Sequence, residues 1–218
     1  MKTLEEFRSR FGTVKTLRHV VFRLINRIIY LDCLHVIVLD RDDFNSLDPA
    51  KTHRLSTKIA MLEDLKEMEK QGCWHMQGKM ELFNRGDTCL LSYVDNKLAG
   101  YTWALTNGCP SFVAAGLRLS VPDGYLYNFW GFTHPDYRGY GLQSFRHHEL
   151  LNHHRWRNRK GLLGFVVHTN RSSKRGQDKS GYKRIGNIYI IGRKSNVHAL
   201  IGKNLRSMGI KRIKIVRR

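Results

Sequence analysis

Acidic residues almost vanish from the second half of this chain of 218 residues. Beyond position 109 only Asp123, Asp136, Glu149 and Asp178 remain of the 18. The same stretch holds 22 of the 38 basic residues, so it carries +18 of the formal +20. A field of that sign attracts anions: phosphates, an acidic carrier protein, anionic lipid heads or nucleic acid. Charge alone does not choose among them. Cysteine is scarce too. Cys33, Cys73, Cys89 and Cys109 are widely spaced and form no CxxC pair, which argues against a cysteine zinc site. Prolines number four, and there is no Pro-rich or Ser-rich linker; the length suits one domain, or one domain with an appendage. No apolar stretch followed by a small-residue cleavage site marks a signal peptide. Reduced cysteines and a cytoplasmic setting are the resulting expectation.

What is present is enough apolar sequence for a core, 41% of residues, and a clear alternation of strand and helix signals. Residues 14–31 place Val14, Leu17, Val20, Val21, Leu24, Ile25, Ile28 and Leu31 on one helical face and Lys15, Arg18, Arg23 and Arg27 on the other. The arginines interrupt the apolar run, so it is not a membrane span. It could pack on its own domain, lie on the inner face of an anionic membrane or dock a partner. With the strand at 34–40 it makes an N-terminal element, 1–45, ahead of a main domain, 46–218. A helix is expected over 54–70, where Ile59, Leu62, Leu65 and Met68 recur, and a shorter one at 75–84. Strands 88–94 and 97–106 flank a tight Asp95-Asn96 turn. Residues 109–121 read as loop or strand. A central strand covers 124–133, a helix 142–160, a strand 161–169, a helical segment 170–180 and a strand 187–192. An edge strand fits 210–216. The pattern predicts a mixed α/β domain.

The segment between the central strand and the next helix carries the chemistry. It reads Thr133, His134, Pro135, Asp136, Tyr137, Arg138, Gly139, Tyr140, Gly141, Leu142, Gln143, Ser144. A glycine-rich turn at a helix N-terminus aims several backbone N–H groups at one point, where the helix dipole adds positive charge. Neither GxxxxGK[ST] nor GxGxxG is present. Downstream, Asn170 is followed at offsets eleven and twelve by Gly181 and Tyr182, with Ser173 between.

Those two features, in that order, resemble the signature of the GNAT superfamily of acyl-CoA-dependent N-acyltransferases, over roughly residues 50–195. The resemblance implies a GNAT-type mixed, mostly antiparallel sheet flanked by helices, with an extra N-terminal helical element. It also implies an enzyme that passes an acetyl or longer acyl group from acyl-CoA to a primary amine by direct attack on the thioester. Backbone groups of Phe132 and Thr133 would pair with the pantetheine arm. The N–H groups of Arg138, Gly139, Tyr140, Gly141, Leu142, Gln143 and Ser144 would hold the pyrophosphate. Asn170 would reach the pantetheine or the sulfur. The strands ending at 133 and 169 would part in a V around the thioester. Two positions depart from the pattern: Gln143 stands where Gly or Ala is usual, and Gln177 stands where a Tyr often protonates the leaving thiolate.

For a general base, His168 is the candidate, two residues before Asn170 on one side of the strand. A hydrogen-bonded core histidine is the competing reading. Tyr101 and Tyr127 are weaker proton relays. His147, His148, His153 and His154 lack the three- or four-residue spacing of helical metal ligands, so no metal is expected. Two further functions remain open. One is a long-chain N-acyl amino acid synthase fed by an acidic acyl carrier protein. The other is a non-catalytic basic module on nucleic acid or membrane, with nucleic acid disfavoured because no RNA-recognition motif is present. The acceptor loops are expected at 72–87 and 107–123.

Overall fold

The computed structural model describes residues 29–44, 52–70, 79–105, 111–114, 117–193 and 196–213, with Arg8 and a few positions between 12 and 21. Most of the helix expected over 14–31, and the tail from 214, lie outside the described residues. Eight strands form the main sheet: β1 (Tyr30–Asp40), β2 (Leu55–Ile59), β3 (Thr88–Val94), β4 (Lys97–Leu105), β7 (Tyr125–Thr133), β8 (Gly161–Val167), β9 (Lys183–Arg193) and β10 (Asn196–Ile201). They run in the order β10-β9-β1-β8-β7-β4-β3-β2. All neighbours are antiparallel except β7 and β8. A small second sheet joins β5 (Ser111–Ala114), β6 (Leu117–Leu119) and β11 (Arg212–Ile213), with β6 in the middle. Within the ambiguous stretch, residues 111–114 and 117–119 are strand, and β6 pairs with the C-terminal β11. The helices are α1 (Leu62–Lys70), α2 (Met80–Asn84), α3 (Leu142–Asn152), α4 (Arg171–Lys179) and α5 (Lys203–Ser207).

Apolar side chains alternate across the strands into separate clusters. Leu34, Val36, Val38, Tyr127, Leu163, Ile188 and Ile190 pack with Leu117, Leu119, Leu205 and Ile210. Ile37, Leu39, Leu126, Leu162 and Val166 meet Leu150 and Leu151 of α3 and the buried Trp156. Leu65 and Met68 of α1 and Leu82 of α2 cover Cys89, Leu91, Tyr101 and Trp103. Tyr101 and Tyr127, considered as proton relays, are both buried in these clusters, stacked on Phe132 and Phe129.

Several expectations are corrected. Residues 55–59 are strand, not the start of a helix. Leu55, Thr57 and Ile59 alternate along β2 and pair with Val94, Ser92 and Leu90 of β3, and the helix begins only at Leu62. The helix expected to run to 160 ends at Asn152. There His153 turns extended and its Nδ1 accepts from Arg155 N at 3.3 Å, opening a short 3-10 turn that buries Trp156. The boundary at 45 falls within one sheet: β1, from the supposedly separate N-terminal element, is an interior strand between β8 and β9. The hairpin is as expected, with Asp95 and Asn96 both left-handed, as a two-residue turn of this twist requires. A mixed, mostly antiparallel sheet flanked by helices, with one parallel pair joined through α3, is the mixed α/β architecture that the strand and helix pattern predicts. Among the described residues no helix is long and apolar enough to cross a membrane.

Candidate functional site

The parallel pair at the sheet's centre parts midway. β7 and β8 are in register only from Tyr125↔Gly161 to Tyr127↔Leu163, although β7 runs on to Thr133 and β8 to Val167. Each strand is held on its other side. β4 pairs with β7 as far as Gly100↔Thr133, and β1 pairs with β8 as far as Leu34↔Val167. Between Trp103↔Phe129 and Tyr101↔Phe132, Thr102 alone faces both Trp130 and Gly131. Such a bulge bends its strand. Trp130 takes φ 47 there, a left-handed value that a bulky residue adopts only under constraint.

Past the gap the chain makes its glycine turn. The N–H of His134 donates to Ala99 O (2.9 Å), and a 3-10 turn covers Pro135–Tyr137. Gly139 (φ 95) and Gly141 (φ 75) are left-handed, which suits glycine, and a Cβ on either would meet nothing within 4 Å. Gly141 caps α3 without any side-chain cap. Of the seven expected donors, the N–H of Arg138 is engaged by Pro135 O at 3.2 Å. The N–H groups from Gly139 to Ser144 donate to no group among the described residues. Six donors without a partner among the described residues thus lie at a helix N-terminus, where the dipole favours negative charge.

The departure at Gln143 has a visible consequence. Its side chain lies against α4, where a Cβ on Gly176 would come within 2.2 Å of Oε1. The longer residue thus fills a glycine notch on the neighbouring helix. Ser144 and Ser180 tie the same helices through a 2.8 Å hydroxyl contact. Leu142 anchors the turn in a pocket of Leu55, Val94 and Ala99.

One residue beneath this turn escaped sequence reasoning. Arg146 is only 2% exposed. Its Nη1 donates to Ser92 Oγ (2.9 Å) and its Nη2 to Thr133 Oγ1 (3.0 Å), while Nε has no partner among the described residues. Gly100 makes room for it, since a Cβ there would sit 2.9 Å from Nη1. Burial lowers its pKa to about 10, and no carboxylate offsets that shift. The signal was in the helical period: Arg146 lies four residues from both Leu142 and Leu150, on the buried face.

The remaining candidates divide. The backbone of Phe132 and Thr133 borders the gap, in register with β4. Asn170 is the N-cap of α4, its Oδ1 accepting from Ser173 N at 3.1 Å. His168 follows β8 with its N–H donating to Cys33 O (2.8 Å) and its carbonyl accepting from Lys174 Nζ (2.6 Å). Its Nδ1 stands 3.4 Å from Oδ1 of Asp32 on β1, a partner the sequence did not suggest. Oε1 of Gln177 is buried without a hydrogen bond among the described residues. Tyr182 is buried nearby, its backbone N–H on Gln177 O, and burial pushes its hydroxyl pKa well up. Among the described residues no cluster of three His, Cys, Asp or Glu side chains could hold a metal ion.

No protein-family model matches the sequence, and no curated protein matches it. Solved structures do match in fold. A conserved protein of unknown function from Staphylococcus epidermidis is 10% identical, with a TM-score of 0.51 over 89% of this chain and 82% of its own. A Drosophila protein is 15% identical, with a TM-score of 0.48 over 81% of this chain and 57% of its own. A GCN5-related N-acetyltransferase from Kribbella flavida is 10% identical, with a TM-score of 0.49 over 80% of this chain and 63% of its own. The chain thus spans less than two thirds of the Drosophila and Kribbella proteins.

Proposed function

We propose that this chain is an N-acyltransferase that moves an acetyl or longer acyl group from acyl-CoA to a primary amine. The observation that carries the reading is the set of open N–H donors from Gly139 to Ser144, set where β7 and β8 part. This cradle and the dipole of α3 suit a pyrophosphate, and the basic half of the chain draws such an anion in. The backbone of Phe132 and Thr133 would align a pantetheine arm as an added strand leading to the gap. The amine nitrogen attacks the thioester carbon there. The N–C bond forms as the C–S bond breaks, and the proton leaving nitrogen ends on the thiolate. Positioning and a polarised carbonyl supply most of the rate. His168, oriented by Asp32, is the group proposed to take the amine proton. Gln177 has no acidic proton to give, so the thiolate, a good leaving group, departs without help from that position.

Calorimetric titration with acetyl-CoA, octanoyl-CoA and free CoA tests the reading. Saturable binding is expected, weakened at least tenfold in Gly141→Asp, because aspartate tolerates a left-handed φ and sets a carboxylate against the cradle. Absence of binding to all three ligands overturns the proposal.

A further inference from the structure

The acyl donor leaves one feature beside the gap unused. Trp130 stands at the bulge of β7, three residues past the last β7–β8 pair, and is 48% exposed despite its interior strand. Its ring touches Phe129, which packs with the α1 and α2 cluster. Over its face sits Nζ of Lys79, 4.3 Å from the ring centroid, at the residue that leads into α2. Lys79 is half-buried, and it has no ion-pair partner among the described residues. Burial alone lowers its pKa. The preceding stretch, 71–78, contains no aspartate or glutamate at all.

We propose that Lys79, held on the face of Trp130, binds the carboxylate of the acceptor, so that the amine substrate is an amino acid or a similar amine bearing a carboxylate. The inference rests on the acyl-transfer reading and names the acceptor class. The ring fixes the ammonium in place through a cation–π contact and shields one side of it. The N–H groups on its other side remain for an anion. A carboxylate supplies the counter-charge that partial burial withholds, and the pair gains from the reduced dielectric there. The strained backbone at Trp130 holds an apolar plate beside the gap rather than in the core. In the proposed complex the carboxylate sits at that plate and the amine is directed to a thioester between β7 and β8.

The test compares acceptors that differ only in the carboxylate: L-phenylalanine, L-phenylalaninamide and phenethylamine. Two measurements run together, CoA thiol release from acetyl-CoA and calorimetric titration of each acceptor into the CoA-saturated protein. The wild-type chain is expected to favour the carboxylate acceptor at least tenfold, in affinity and in kcat/KM. Lys79→Met loses that preference through KM, Lys79→Arg retains part of it, and both keep wild-type affinity for acetyl-CoA. If acetyl-CoA binds but the carboxylate acceptor binds no tighter than its partners, this inference alone falls. It falls equally if Lys79→Met keeps the preference. If the wild-type chain binds no acyl-CoA, the acyl-transfer reading falls and takes this inference with it.

Discussion

Replacing Arg146 by methionine separates a structural ion from one kept for ligand binding. The buried guanidinium has a pKa of about 10 against an ordinary 12.5. At about 1.4 kcal/mol per pKa unit, the charged form is roughly 3 kcal/mol less favourable in the fold than in water. Because the folded pKa is depressed for a cation, that cost is present in full below pH 10 and fades as pH rises toward 12.5. Two hydrogen bonds from a charged donor, to Ser92 and Thr133, return about 1.5 kcal/mol each. The two contributions nearly cancel. Arg146→Met should therefore change the unfolding free energy of the ligand-free protein by no more than about 1 kcal/mol, or about 4 °C in Tm for a chain of this size. Removing one partner of a true buried ion pair would cost about 3–5 kcal/mol.

The same substitution should weaken acetyl-CoA binding. Arg146 lies five residues beyond Gly141, about 8 Å along α3. At an effective dielectric near 20 and a charge separation of about 12 Å, each phosphate charge gains about 1.4 kcal/mol, a factor of about ten. Urea unfolding without ligand and calorimetry with acetyl-CoA check both halves. A loss of about 3 kcal/mol or more in the ligand-free protein, or an unchanged acetyl-CoA affinity, refutes the reasoning.

Two further outcomes follow from the same region. His147 is fully buried against Tyr182, and burial together with Arg146 holds its pKa at about 3. The unfolded chain takes up that proton near pH 6.5, so this contribution to stability is complete above pH 6.5 and is lost as pH falls toward 3. The loss amounts to about 2 kcal/mol at pH 5. His147→Phe should abolish that part of the slope in urea unfolding at pH 7 and 5, and an unaltered slope would show that other groups cause it. Gly100→Ala puts a Cβ 2.3 Å from the Phe132 carbonyl oxygen, so backbone must move. A loss of about 3 kcal/mol in thermal unfolding is expected, and a neutral effect would mean that β4 and β7 yield more easily than their pairing suggests.

Much of the fold was legible because its signals were local. The Asp95-Asn96 hairpin, the glycine turn before α3 and the run of apolar strands each declare themselves within a short stretch of chain. The stretch 55–59 misled because Ile59 falls in phase with the helix that follows, while Leu55, Thr57 and Ile59 also satisfy period two; pairing with β3 decided for strand. The end of α3 carried no glycine or proline, so the extended His153 could not be read. At the site, the glycine spacing marked the turn whose N–H groups from Gly139 to Ser144 have no partner among the described residues. Asp32 beside His168, Lys79 on Trp130 and Arg146 under Thr133 were not legible, because each joins different elements of the fold.

The gap itself depends on a strand that the sequence pattern set apart. An open seam between two neighbouring strands leaves backbone donors and acceptors unsatisfied and would close unless both strands were held from outside. β4 holds β7, and the bulge at Trp130 turns it outward. β1 holds β8 along its length and is itself backed by β9. The N-terminal strand is therefore part of the machinery that keeps the seam open, and it also brings Asp32 to His168. The pairing of β1 with β9 skips Ile185 of β9 between Val36 and Ile37, and Asp32 lies in the part of β1 before that shift. A chain lacking β1 would lose the support of β8 and the partner of His168 together. Assigning residues 30–40 to an appendage would thus misplace part of the proposed active site.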